Sequence, residues 1–78
     1  MRAAAVEHWQ AFGEVVRRLR ESHGWSLRQC AREIPISHSY QYNIELGQVA
    51  PPSDRLIVRM ADIFEVPQQY LLMRVSTK

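Results

Sequence analysis

The stretch SLRQCAREIPISHSYQYNIEL, residues 26–46, decides the fold. It holds two short helical patterns on either side of Pro35. Leu27, Cys30, Ala31 and Ile34 fall on one stripe of the first helix. Ser26 stands directly before that stripe and can cap the free N–H groups of the first turn. Pro35 is expected to end the helix, because the residue before a proline avoids the helical region. Ser37 is a second N-cap, residues 38–46 form the next helix, and Gly47 closes it. On this helix Ile36, Tyr40 and Ile44 share a face that should turn inward. Ser39, Tyr42, Asn43 and Leu46 point elsewhere, and His38 and Ser39 stand at the exposed start. Both helices run for about two turns and are joined by residues 35–37, which sets the second across the front of the domain at a steep angle.

The flanks add three more helices. Trp9, Phe12, Val15, Val16 and Leu19 mark one face of a helix over residues 7–22. Arg17 and Arg18 lie three and four residues after Glu14, a spacing that suits helical ion pairs, while Glu7, Glu14 and Glu21 form a row expected to be solvated. Gly24 closes this helix at its C′ position. Downstream, residues 48–52 form a loop stiffened by Pro51 and Pro52. Ser53 caps a fourth helix that runs to about Phe64, with Leu56, Ile57, Met60, Ala61 and Phe64 inward. Val66 and Pro67 restart the chain into a short fifth helix, where Tyr70 and either Leu71 or Leu72 pack back. Residues 1–8 read as an N-terminal extension and residues 73–78 as a fraying tail. There is no strand pattern, so the expectation is all-α: five helices in one domain spanning residues 1–78.

Composition narrows the class. A chain of 78 residues suffices for one domain. Its single cysteine, Cys30, excludes an intrachain disulfide and reads as a small core residue on the apolar stripe. No apolar run is long enough for a membrane span. The first ten residues contain Glu7 and His8 and lack a signal-peptide core, which implies a cytoplasmic protein. His8, His23 and His38 do not combine with Cys30 into zinc spacing, so no metal or cofactor is expected. Ser22 and His23 have no third group to complete a nucleophile, and the chain is not read as an enzyme. Trp9 and Trp25 read as core or edge residues. Nine of the ten basic residues are arginine, whose planar fork suits phosphates and guanine edges. A GC-rich genome gives the same bias, so composition alone does not establish a nucleic-acid partner.

Residues 12–72 resemble the phage repressor/Cro-like, or XRE-type, helix-turn-helix family. The resemblance rests on an ordered set: Arg20, Gly24, Ser26, Ala31, Ile36-Ser37, Ile44-Glu45, Gly47, Pro52-Ser53 and Ala61. It implies a five-helix, lambda-repressor-like domain whose third helix reads double-stranded DNA. It also implies that Ser37, His38, Ser39, Tyr42 and Asn43 face the groove. Leu27 matches a position that in relatives is commonly glutamine and reaches DNA. Arg20 and Glu45 match a buried salt bridge between the first and third helices. The chemistry of the side chains agrees in part. Asn43 can pair with adenine, Ser39 with several bases, Tyr42 with a thymine methyl or a phosphate, and His38 with a phosphate or guanine N7. Tyr40 and Tyr42 could equally both be packing residues.

Three positions depart from the family pattern. Gln41 stands where relatives place a buried aliphatic residue, with Tyr40 expected to fill that space and Gln41 to reach a backbone group. Leu27 leaves either apolar readout or packing in place of a polar contact. Pro35 replaces a turn glycine. The loop over residues 48–52 carries no basic residue, so phosphate binding falls to Arg17, Ser26, Arg28, Arg32 and Arg55. The expected regulator is a homodimer, with Tyr70, Leu71 and Met73 as the dimer surface and the segment before Trp9 as the alternative. A protein-interaction module or antitoxin with a protein partner is the competing reading, favoured by the neutral third helix.

Overall fold

In a computed structural model of the chain, residues 2–72 are described, with side chains over residues 7–72. Five helices follow in order: α1 Arg2–Ser22, α2 Leu27–Glu33, α3 His38–Leu46, α4 Asp54–Phe64 and α5 Gln68–Leu72. No strand occurs among the described residues. α1 starts at Arg2 rather than at residue 7, so the segment read as an extension is helical. Ala3, Ala4 and Ala5 explain this, since alanine has the highest helix propensity yet adds nothing to an apolar stripe.

Three of the helices end in the same device. After α1, Gly24 (φ 71°) donates its N–H to Glu21 O at 2.9 Å, and Trp25 N–H reaches Arg20 O at 3.2 Å. After α3, Gly47 (φ 75°) and Gln48 repeat the pattern on Ile44 O and Asn43 O. These are Schellman motifs, which satisfy the orphan carbonyls of the last turn. α4 closes identically, but with Glu65 in the left-handed position (φ 60°).

α2 stops for a different reason from the one expected. Ile34, before Pro35, keeps helical angles (φ −74°, ψ −27°), so steric expulsion by the proline does not end the helix. What Pro35 lacks is an N–H. Ile36 N–H, one residue later, takes Ala31 O at 2.8 Å and turns the chain toward Ser37. No residue of this turn has positive φ, so proline can stand where a glycine turn would need left-handed backbone.

The core joins Phe12 and Val16 of α1 to Cys30 and Ala31 of α2. Ile34, Ile44 of α3, then Ile57, Met60, Ala61 and Phe64 of α4, and Leu71 of α5 complete it. Full burial of one Phe, Ile, Leu or Met side chain stabilises by about 1.5–3 kcal/mol. Leu56 is only half-buried against this core. Leu71, expected on a dimer surface, is 0% exposed, while Tyr70, expected to pack back, is 41% exposed and Leu72 37%. Met73 lies outside the described residues.

One glycine sets the distance between α1 and α3. A Cβ on Gly13 would stand 2.3 Å from Ile44 O and 2.6 Å from Glu45 O. A Cβ on Gly47 would likewise meet the Gln10 backbone at 2.7 Å. The C-terminal turn of α3 therefore lies directly against α1, with Gln10 backbone and Cγ both close to Gly47.

Candidate nucleic-acid interface

α2 and α3 are each fixed at their start by serine. Ser26 Oγ accepts from Gln29 N at 3.1 Å, and Ser26 N donates to Gln29 Oε1 at 2.9 Å, a reciprocal capping box. Ser37 Oγ accepts from Tyr40 N at 3.0 Å. Both hydroxyls keep their own O–H free to donate.

Burial divides α3 into two sides. Gln41, Ile44 and Glu45 are buried, while Ile36 and Tyr40 are half-buried. Tyr40 does not take the interior place beside α3; Gln41 does, at 0% exposure. Gln41 Nε2 donates to Glu45 Oε2 at 2.8 Å, so its partner is a carboxylate and not the backbone group expected. Gln41 Oε1 is buried and accepts no hydrogen bond. On the other side Ser39, Tyr42, Asn43 and Leu46 follow the i, i+3, i+4, i+7 spacing of one stripe. His38 and Ser39 are exposed, Tyr42 and Leu46 are about half exposed, and Asn43 is half-buried.

An ion pair orients this helix. Arg20 Nε donates to Glu45 Oε2 at 2.7 Å and Arg20 Nη2 to Glu45 Oε1 at 3.0 Å, a two-pronged contact. Arg20 Nη1 donates to Trp25 O at 2.9 Å. The carboxylate of Glu45 holds the Arg20 guanidinium above its ordinary pKa. One arginine thus ties α1, the turn before α2, and α3. The Glu45 side chain is only 4% exposed, and removing one partner of such a pair costs about 3–5 kcal/mol through the stranded charge.

The basic residues fall into two groups. Arg17 Nη2 donates to both Glu14 oxygens at 2.9 Å, and Nη1 reaches Glu21 at 3.5 Å; Arg18 Nε donates to Glu14 at 3.1 Å. The hydrogen bond from Arg17 holds the Glu14 carboxyl below its ordinary pKa. The acidic row expected to be merely solvated is thus engaged at Glu14 and Glu21, and a phosphate approaching Arg17 competes with them. Arg28 and Arg32 on α2 and Arg55 on α4 are exposed, and no carboxylate among the described residues pairs with them. Arg59, absent from the expected set, donates to Glu33 O at 3.1 Å and fastens α4 to the end of α2.

Leu27, Tyr42 and Leu46 line one open concavity of about 450 Å³ between α1, α2 and α3, which Glu14, Arg17 and Glu45 also border. Tyr70 is on the far side of α1, against a hollow bordered by Val15, Arg18 and Leu19. A second cluster escaped the sequence reading. His23 stacks on Trp25 (ring centroids 4.7 Å apart), and both lie 6.0 Å from Phe64. His23 Nε2 stands 3.2 Å from Phe64 O, so that nitrogen carries the hydrogen. The cluster joins the turn after α1 to the end of α4.

Burial pushes the Cys30 thiol up to about 12, which keeps it protonated and unreactive at neutral pH. Among the described residues no group of three His, Cys, Asp or Glu could hold a metal ion, and no helix is long and apolar enough to cross a membrane. A search of curated proteins returned no match. Residues 11–71 match the profile of a family described as a helix-turn-helix domain. That span covers all of α2 through α4, the two capped helices and the ion pair that orients them. The chain belongs to the helix-turn-helix domain family, a family of DNA-binding domains.

Proposed function

We propose that this chain is a sequence-specific transcriptional regulator of the phage repressor/Cro-like type. It acts as a repressor, binding a palindromic operator as a homodimer. The observation that carries the reading is α3 itself. Its inner side is locked by Arg20, Glu45 and Gln41, and its outer side leaves His38, Ser39, Tyr42 and Asn43 accessible. A helix of nine residues presented this way fits a major groove about 12 Å wide. Ser37, His38, Ser39, Tyr42 and Asn43 read base edges. Ser26, Arg28, Arg32 and Arg55 hold phosphates, joined by Arg17 once it leaves Glu14. A single subunit makes few contacts, so tight specific binding calls for a dimer on half-sites about 34 Å apart.

A gel-shift with the DNA upstream of the chain's own gene tests this. The native chain is expected to retard it, and Ser39→Ala with Asn43→Ala to abolish the preference over unrelated DNA. Unchanged preference in that double variant overturns the assignment of α3. One observation favours a second reading, a protein-binding module or antitoxin: α3 carries no arginine or lysine and exposes Tyr42 and Leu46. Capture of a protein partner with no binding to any duplex would establish it instead.

A further inference from the structure

The outer stripe of α3 is chemically lopsided. Guanine is most commonly read by the paired donors of arginine or lysine, and α3 has neither. Its accessible polar groups are His38, Ser39 and Asn43, and its exposed bulk is Tyr42 and Leu46. Leu27 of α2 joins these two apolar side chains across the concavity between the helices. The carboxylates on its border are both engaged, Glu14 by Arg18 even after Arg17 moves to a phosphate and Glu45 by Arg20, so neither presents an unpaired charge to a polyanion. Arg17 and Arg20 border the concavity as well, and exposed Arg28 and Arg32 add positive charge to the helix that carries Leu27. The apolar patch therefore continues a polar stripe in which Asn43 suits adenine and Ser39 accepts several bases.

We infer that the operator half-site is A·T-rich and is read through thymine 5-methyl groups packed against Leu27, Tyr42 and Leu46. This inference rests on the DNA-binding reading above and specifies its ligand. Adenine N6 and N7 would pair with Asn43, while the partner thymines would offer methyls to the patch. Burying one methyl is worth about a fourfold change in affinity.

The test begins by selecting duplexes from a randomised pool with the full chain. Each thymine of the selected site is then replaced by deoxyuridine, which removes the methyl and keeps the base pair. The expected site is A·T-rich, and at least one replacement weakens binding about fourfold or more. Tyr42→Ala and Leu46→Ala, both at exposed positions, are expected to weaken binding to the thymine duplex and to erase its advantage over the deoxyuridine duplex. That erasure separates a methyl contact from a merely structural role. A selected site whose affinity is indifferent to every deoxyuridine replacement overturns the inference and leaves the DNA-binding reading intact. Selection of a guanine-rich half-site does the same. If no duplex is selected at all, both fall, and the patch is a docking surface for protein.

Discussion

At the scale of single residues, the tightest constraint is one the composition hides. Gly13 lies inside a regular helix, where glycine costs about 1 kcal/mol relative to alanine, so alanine would seem an improvement. The packing reverses that sign. A Cβ at Gly13 would collide with two backbone oxygens of α3, at 2.3 and 2.6 Å, and backbone cannot rotate away as a side chain can. Gly13→Ala is expected to destabilise by about 2–3 kcal/mol, read from the midpoint of urea unfolding. Gly24→Ala is the control, since nothing lies within 4 Å of its Cβ and only left-handed strain of about 1–2 kcal/mol remains. Equal losses in the two variants would contradict the close approach of α1 and α3. Cys30 gives a second expectation at this scale. Its thiol is raised from the ordinary 9.0 to about 12 by burial, so iodoacetamide at mildly alkaline pH should modify the urea-unfolded chain and spare the native one. Above about pH 9 the unfolded thiol loses its proton while the native thiol keeps it, so stability falls as pH rises toward 12. Cys30→Ala should show a shallower decline over that interval.

At the scale of helices, what was legible in the sequence was punctuation. Ser26, Ser37, Gly24 and Gly47 give the boundaries of α2 and α3 because caps are local chemistry, complete within four or five residues. The interior stripes of α2 and α4 were legible for the same reason, save at Leu27 and Leu56, which are only half-buried. What was not legible depends on contacts between distant residues. Gln41 is buried because Glu45 accepts from it, and Glu45 is buried because Arg20, far off in the chain, meets it. Leu71 and Leu72 are equally apolar neighbours, and only the position of α5 on the core decides which is buried. The alanines before Glu7 carry no periodic signal, so α1 looked shorter than it is. Glu65 is the residue a sequence rule would place least willingly, since it closes α4 with positive φ. Glu65→Gly is expected to stabilise by about 0.5–1 kcal/mol, the left-handed strain relieved less the extra freedom glycine gains when unfolded. An unchanged or lower melting temperature would contradict the Schellman closure assigned there.

At the scale of the whole molecule, the domain is a frame that holds α3 outward. Gly13 and Gly47 let α1 lie against the end of that helix, Arg20 and Glu45 fix its rotation, and the His23–Trp25–Phe64 cluster joins α1 to α4 behind it. The two sides of α3 were unequally legible. Its family frame could be named from Arg20, Glu45 and the caps. On the proposed reading face, Leu27 and Tyr42 could be named from the same resemblance, whereas Leu46 is an ordinary core residue by type and only its exposure makes it available. We propose that this frame serves DNA through α3 and the arginines around it, and the salt dependence of binding reports on that role. With Arg17, Arg28, Arg32 and Arg55 on phosphates, a dimer makes about eight contacts, and the log of the binding constant should fall against the log of salt with a slope near −7. Fluorescence anisotropy with the upstream duplex, titrated across a series of salt concentrations, measures that slope. A value near −7 is the expected result, and a value near zero would contradict the account.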